Sequence, residues 1–246
     1  MAQEMRWLGP PGSELRFPDP RSALTWPNGL LAAGGDLSPE RLLAAYRLGS
    51  FPWYEAGQPI LWWCPDPRAV IFPRELHVAR RLRRFLAQQP FEASFDREFT
   101  KVVRGCARAE HPGTGTWITP EMVSAYTRLH GLGHAHSVEI WAGDALVGGL
   151  YGVALGRAFF AESMFSRRPT ASKAAMIVLA EALRTRDFLV MDCQLPSPHL
   201  ATMGAREIPR QEFLALLSRS IGEHPPGGAS WSGERQLVRV PASANS

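Results

Sequence analysis

Between His136 and Phe165 the chain reads HSVEIWAGDALVGGLYGVALGRAFFAESMF, the stretch that most limits the available folds. Its apolar residues and glycines describe three strands joined by tight turns at Ala142–Asp144 and around Gly156–Arg157. The period then changes. SKAAMIVLAEALRTR sets Met176, Leu179, Ala180 and Leu183 on one helical face. DFLVMDCQ, Asp187 to Gln194, returns to strand. Three strands in succession, a helix and a further strand imply an α+β unit with helices packed on a sheet.

That last strand is interrupted by polar groups. Alternation puts Leu189, Met191, Cys193 and Leu195 on one face and Val190, Asp192 and Gln194 on the other. Asp192 and Gln194 then project together, about 7 Å apart. Two readings stand side by side: the pair satisfies nearby loop backbone groups, or it belongs to a site.

The first sixty-odd residues differ in character, being dense in Pro, Gly and Trp with one clear helix in LSPERLLAAYRLGSFPW. Ser38 suits its cap, Pro39 its first position and Gly49 its stop. We read residues 1–66 as a small irregular N-terminal domain and 67–246 as the larger one. CPDPRAVIFP reads as a proline-punctuated connection between them. Glu75–Gln88 reads as a helix with Val78, Leu82, Phe85 and Leu86 on one side and Arg80, Arg83 and Arg84 opposite. A second helix follows Thr119 as cap and Pro120 as first residue, carrying Met122, Val123, Tyr126 and Leu129 to a stop at Gly131. A third covers Gln211–Ser220, and the Pro/Gly/Ser-rich tail from about 223 is expected to be partly disordered.

Several classes of function drop out. There is no apolar N-terminal leader and no run near the roughly 20 apolar residues of a membrane span, which argues for a soluble, cytoplasmic protein. Cys64, Cys106 and Cys193 are odd in number and scattered, supporting neither a disulfide framework nor a CxxC metal site. A net charge of +4, carried almost wholly by arginine since lysine occurs only at Lys101 and Lys173, permits an anionic partner without requiring one.

The strand order is similar to the core of the GCN5-related acetyltransferases, which hold coenzyme A on a glycine-rich turn entering the helix. Here that turn is SRRPTASK, Ser166 to Lys173, with no glycine to let backbone amides close on a pyrophosphate. Coenzyme A is disfavoured. Arg167, Arg168 and Lys173 at a helix start suit other phosphates, or simply a solvated helix end. His134 and His136 lack a third metal ligand at a recognisable spacing, and Cys193 with His199 lacks a nucleophile signature. The eight tryptophans are more unusual, several lying beside Pro or Gly in WPNG, FPWYEAG, ILWWCPDP and GTWITP. Loop aromatics near basic helices can stack on unpaired bases, and they can equally pack a core.

WPNGLLAAGGDLSPERLLAAYRLGSFPW, PILWWCPDPRAV, GTWITPEMVSAYTRLHGLGHAHSVEIW, LVGGLYGVALGRAFFAESMFS and DCQ followed by HLATMGAREIPR together resemble the leucyl/phenylalanyl-tRNA–protein transferases, in order, from Asn28 to Arg210. The resemblance implies an acetyltransferase-like C-terminal domain. It implies a monomeric cytoplasmic aminoacyltransferase that moves Leu, Phe or Met from aminoacyl-tRNA to proteins beginning with Arg or Lys, generating N-degrons for proteolysis. It implies no cofactor and no metal. Carried over, the catalytic pair falls on Asp192 and Gln194, with Glu162 against the aminoacyl group. Trp53 and Trp117 match tryptophans around the terminal adenosine, and Arg80, Arg83 and Arg84 suit acceptor-stem phosphates. An apolar donor pocket is expected from Leu150, Phe159, Leu179, Leu183 and Met191, with leucines where the family commonly has phenylalanine at 179 and 183.

Overall fold

The computed structural model describes residues 5–88, 91–109, 116–222, 231–233 and 235–239. The N-terminal part is less irregular than its composition implies. Strand β1 (Arg6–Leu8) runs parallel to β2 (Leu30–Gly34), helix α1 (Pro39–Arg47) follows, and β3 (Phe51–Pro52) and β4 (Leu61–Trp63) complete a sheet of order β1-β2-β4-β3. Strands of two to five residues broken by Pro and Gly leave no readable alternation, so this sheet is not foreseen. The α1 signals are local and hold. Ser38 accepts a hydrogen bond from the Arg41 amide at 3.3 Å, Pro39 opens the helix, and Gly49 leaves it at φ +73°. A side chain at Gly49 would meet Phe213 at 2.8 Å.

The rest of the chain builds one large sheet and its covering helices. In chain order these are β5 (Arg68–Ile71), α2 (Arg80–Gln88), β6 (Glu92–Phe95), α3 (Phe99–Ala109), α4 (Pro120–Gly131), β7 (Ala135–Ala142), β8 (Ala145–Leu155) and β9 (Ala158–Ser166). Then come α5 (Ala171–Thr185), β10 (Val190–Gln194), α6 (Pro198–Ala201), β11 (Arg206–Ile208), α7 (Arg210–Gly222) and β12 (Gln236–Leu237). The sheet order is β11-β5-β10-β9-β8-β7-β6-β12. As the turns require, β7, β8 and β9 form an antiparallel meander, and β10 returns parallel to β9 after α5. The fold is thus mixed α+β with two sheets.

Two apolar clusters sandwich the large sheet. One joins Tyr46, Trp62, Val102, Tyr126, Phe160 and Phe213, drawing on both sheets, while the other packs α5 against Leu150, Phe159 and Met191. Burying side chains of this size at about 25 cal/mol per Å² makes these clusters the main stabilising term.

Three expectations are corrected. Arg68–Ile71 is a central strand rather than a connection: it pairs with both β10 and β11. The basic helix begins at Arg80 rather than Glu75, because a 3₁₀ turn at Pro73–Glu75 is followed by extended Leu76, and the His77 amide bonds to the Met203 carbonyl at 3.0 Å. Between Gln88 and Thr119, where the sequence reading places no element, lie β6 and α3, the latter with Phe99, Val102, Val103 and Cys106 at helical spacing. The tail adds one strand to the large sheet. β12 pairs with β6, and Trp231 stacks on His136 at 4.3 Å. Residues 223–230, 234 and 240–246 of that tail lie outside the described residues.

Among the described residues no helix is long and apolar enough to cross a membrane.

Candidate active site

The site grows from two irregularities in neighbouring strands. On β10 the pairing to β5 slips between Asp192, opposite Val70, and Gln194, opposite Ala69. Cys193 is the extra residue, and Gln194 takes a left-handed φ of +58°. On β9 the pairing to β8 slips between Ser163, opposite Tyr151, and Ala161, opposite Gly152, which leaves Glu162 extra. Bulges re-aim side chains, and here the Gln194 Nε2 donates to Glu162 Oε1 at 3.1 Å.

Glu162 is buried and doubly held. Its Oε2 accepts from the Tyr126 hydroxyl at 2.8 Å, and that hydroxyl lies 2.5 Å from the Tyr46 hydroxyl. With Tyr126 donating to the carboxylate, Tyr46 donates to Tyr126. Burial pushes the Glu162 pKa up to about 7, against the opposing hydrogen bonds of Tyr46 and Tyr126. Burial, and then the Glu162 charge, hold both tyrosines well above their ordinary value, so they remain donors near neutral pH.

Asp192 is engaged elsewhere. Arg68 Nε donates to its Oδ1 at 2.7 Å and Arg68 Nη2 to its Oδ2 at 2.6 Å, both side chains being fully buried. Oδ1 also accepts from the Gln194 amide at 3.0 Å. The guanidinium stacks on Phe51 at 4.9 Å and Phe213 at 4.6 Å. Burial pulls its pKa down, but the Asp192 charge and hydrogen bonds outweigh that and hold it above the ordinary value. The common projection expected from alternation is therefore split: Gln194 reaches Glu162, and Asp192 lies against Arg68.

A cavity of about 270 Å³ opens over this network, lined by Phe51, Pro52, Trp53, Trp117, Glu162, Cys193, Gln194 and Leu195. Trp53 is 42% exposed; its carbonyl accepts from Trp63 Nε1 at 2.7 Å and its ring meets Trp63 edge-on at 5.8 Å. Trp117 stands just before Thr119, whose side chain caps α4 by accepting from the Met122 amide at 3.3 Å. Trp53, Trp117, Glu162 and Gln194, from four separate segments, thus share one hollow.

Apart from Cys193, the remaining candidates lie away from its lining. Leu150, Phe159, Leu179, Leu183 and Met191 come together in the second apolar cluster, at most 1% exposed. Arg80 and Arg84 are exposed on α2, whereas Arg83 is half-buried and its Nε donates to the Val78 carbonyl at 3.3 Å, so it does not stand opposite the apolar side. Burial pushes the Cys193 thiol far up, which removes it as a nucleophile near neutral pH. His136 Nδ1 lies 2.7 Å from Asp96 Oδ2. At the start of α5, Lys173 donates to the Thr202 hydroxyl at 3.3 Å.

Arg68, Tyr46 and Tyr126 are passed over by the sequence reading. Arg68 carried a faint signal as a charge beside the apolar run Ala69–Ile71. The tyrosines carried none, since each sits on an apolar helical stripe.

Models of two families match the chain: the leucyl/phenylalanyl-tRNA protein transferase over residues 70–218, and the N-terminal domain of the same transferase over residues 35–66. A leucyl/phenylalanyl-tRNA–protein transferase of Azoarcus sp. (strain BH72) is 59% identical over 217 residues, covering 88% of this chain and 92% of that protein. One from Pseudomonas syringae pv. syringae (strain B728a) is 52% identical over 231 residues, covering 94% and 99%. Among solved structures, that of L-PGS from Bacillus licheniformis matches with a TM-score of 0.40 at 10% identity, over 76% of this chain and 71% of that one.

Proposed function

The chain belongs to the leucyl/phenylalanyl-tRNA protein transferase family, and on that premise we propose that it moves Leu, Phe or Met from aminoacyl-tRNA to the N-terminal Arg or Lys of acceptor proteins. The products are N-degrons for cytoplasmic proteolysis, and the enzyme works as a monomer. Residues 1–66 form its small domain and 67–246 its transferase domain. The meander β7–β9, helix α5 and strand β10 support reading the latter as acetyltransferase-like.

The observation that carries the site assignment is the cavity joining Glu162 and Gln194 to Trp53 and Trp117. The indoles would stack the terminal adenosine, with the aminoacyl ester then lying over Gln194. The Leu150, Phe159, Leu179, Leu183 and Met191 cluster, packed shut in this structure, would have to open to receive the apolar donor side chain, and exposed Arg80 and Arg84, with half-buried Arg83 beside them, would meet acceptor-stem phosphates.

An aminoacyl ester is already activated, so the protein mainly orients the reactants and manages protons. The amine lone pair adds to the ester carbonyl carbon, the bond to the ribose oxygen breaks, and the amine proton ends on that oxygen. Gln194 spends its Nε2 on Glu162, which leaves its carbonyl oxygen to accept an N–H from the incoming amine. A neutral amide does not take the proton itself. Glu162, which burial raises to about 7, would be the buried group able to take and return a proton near neutral pH.

Incubation with leucyl-tRNA and a peptide beginning with Arg should add the mass of one leucine to the peptide. An unchanged peptide, with intact leucyl-tRNA, refutes the proposal.

A further inference from the structure

Arg68 joins both walls of the cavity without lining it. Its guanidinium stacks on Phe51, which lines the hollow from β3, and its fork holds Asp192, which in turn accepts the amide of Gln194. Resting on the function proposed above, we propose that Arg68 is a positioning residue for transfer, acting through Asp192 and the left-handed bulge to aim the Gln194 side chain at the reacting amine.

Three observations carry this. A glutamine at φ +58° is held against its own preference, so something must fix it, and the bond from its amide to Asp192 Oδ1 does so. Asp192 has both oxygens taken by Arg68, which locks the rotamer on which that bond depends. A fully buried ion pair is also a poor way to gain stability, since apolar residues of similar volume would serve as well. What the pair supplies is geometry. Asp192, occupied in this way, is a clamp rather than a proton carrier.

The test uses the full-length protein with Arg68→Lys, which keeps the charge and loses the two-pronged bond. Single-turnover transfer should fall at least about tenfold while aminoacyl-tRNA affinity stays within about twofold. In a Gln194→Ala background the same substitution should cost less than about twofold more, because there is no side chain left to aim. Independently of activity, hydrogen exchange at the Gln194 amide should rise at least about tenfold, with other amides of β10 unchanged. Full transfer with unchanged Gln194 exchange overturns the inference, as does an equal loss in the Gln194→Ala background. Should Arg68→Lys fail to fold, the apolar double variant Arg68→Met/Asp192→Leu decides: it should fold and bind aminoacyl-tRNA yet transfer at least about tenfold more slowly, and wild-type transfer overturns the inference. Lack of transfer by the wild-type protein would refute the proposed function instead, and the exchange measurement would still judge Arg68.

Discussion

Glu162→Gln isolates the buried carboxyl at the centre of the network. Glutamine keeps the shape and the bonds: its oxygen accepts from Gln194 Nε2, and its own amide donates to the Tyr126 hydroxyl, which turns to Tyr46. In the wild type the folded-state pKa near 7 lies above the ordinary 4.5, because burial disfavours the charge. The folded state therefore holds more protons than the unfolded chain between these values, and stability falls as pH rises through that window. Linkage makes the loss between about pH 5.5 and about pH 8 roughly 2 kcal/mol, and the variant should escape it. Other carboxylates titrate in both proteins and cancel in the difference. Urea unfolding of both proteins across this range measures the difference directly, and the variant should gain on the wild type as pH rises. The pH profile of transfer should lose its inflection near 7 in the variant. Stability curves that run parallel from acid to alkaline pH would refute the reasoning, because Glu162 would then carry no neutral-range titration.

Gln194→Ala should slow transfer at least about tenfold, roughly 1.4 kcal/mol of barrier, with aminoacyl-tRNA affinity near wild type in a filter-binding assay. Replacing Arg80 and Arg84 by Glu should weaken tRNA binding and flatten its salt dependence while sparing transfer from a minimal aminoacyl-adenosine donor; equal losses with both donors would indicate a folding defect. Leu179→Phe and Leu183→Phe should shift the Leu:Phe product ratio in a competition between the two charged tRNAs if these side chains bound the donor pocket. With both leucines at most 1% exposed, each change should also cost about 1–3 kcal/mol in thermal or urea unfolding from overpacking. An unchanged product ratio removes them from the pocket.

Much of the order of elements is legible because it rests on neighbours in sequence. The turns of the meander, the caps Ser38 and Thr119 and the face Met176–Leu183 all depend on residues within a few positions, and each recurs in the structure. Strand β5 escapes because its four residues are buried throughout and flanked by proline, so they show no alternation. Asp192 and Gln194 stand out in sequence as polar residues in an apolar strand, whereas Glu162 is reached only through the family resemblance.

What only the tertiary structure decides is how those groups are divided. Arg68 and Asp192 are 124 residues apart, Tyr46 and Tyr126 80, and Glu162 and Gln194 32. No local period reports pairs at such distances. The two bulges depend on the registers of β5 against β10 and of β8 against β9, and register is set by which faces the finished core buries. By itself the sequence points to the family, to the meander with its helix and returning strand, and to Asp192 and Gln194 as polar groups in an apolar strand. The packed sheet alone decides that Asp192 faces an arginine, that Glu162 is raised to about 7 by burial, and that Gln194 reaches the cavity, because each is a consequence of desolvation and strand register rather than of neighbouring residues.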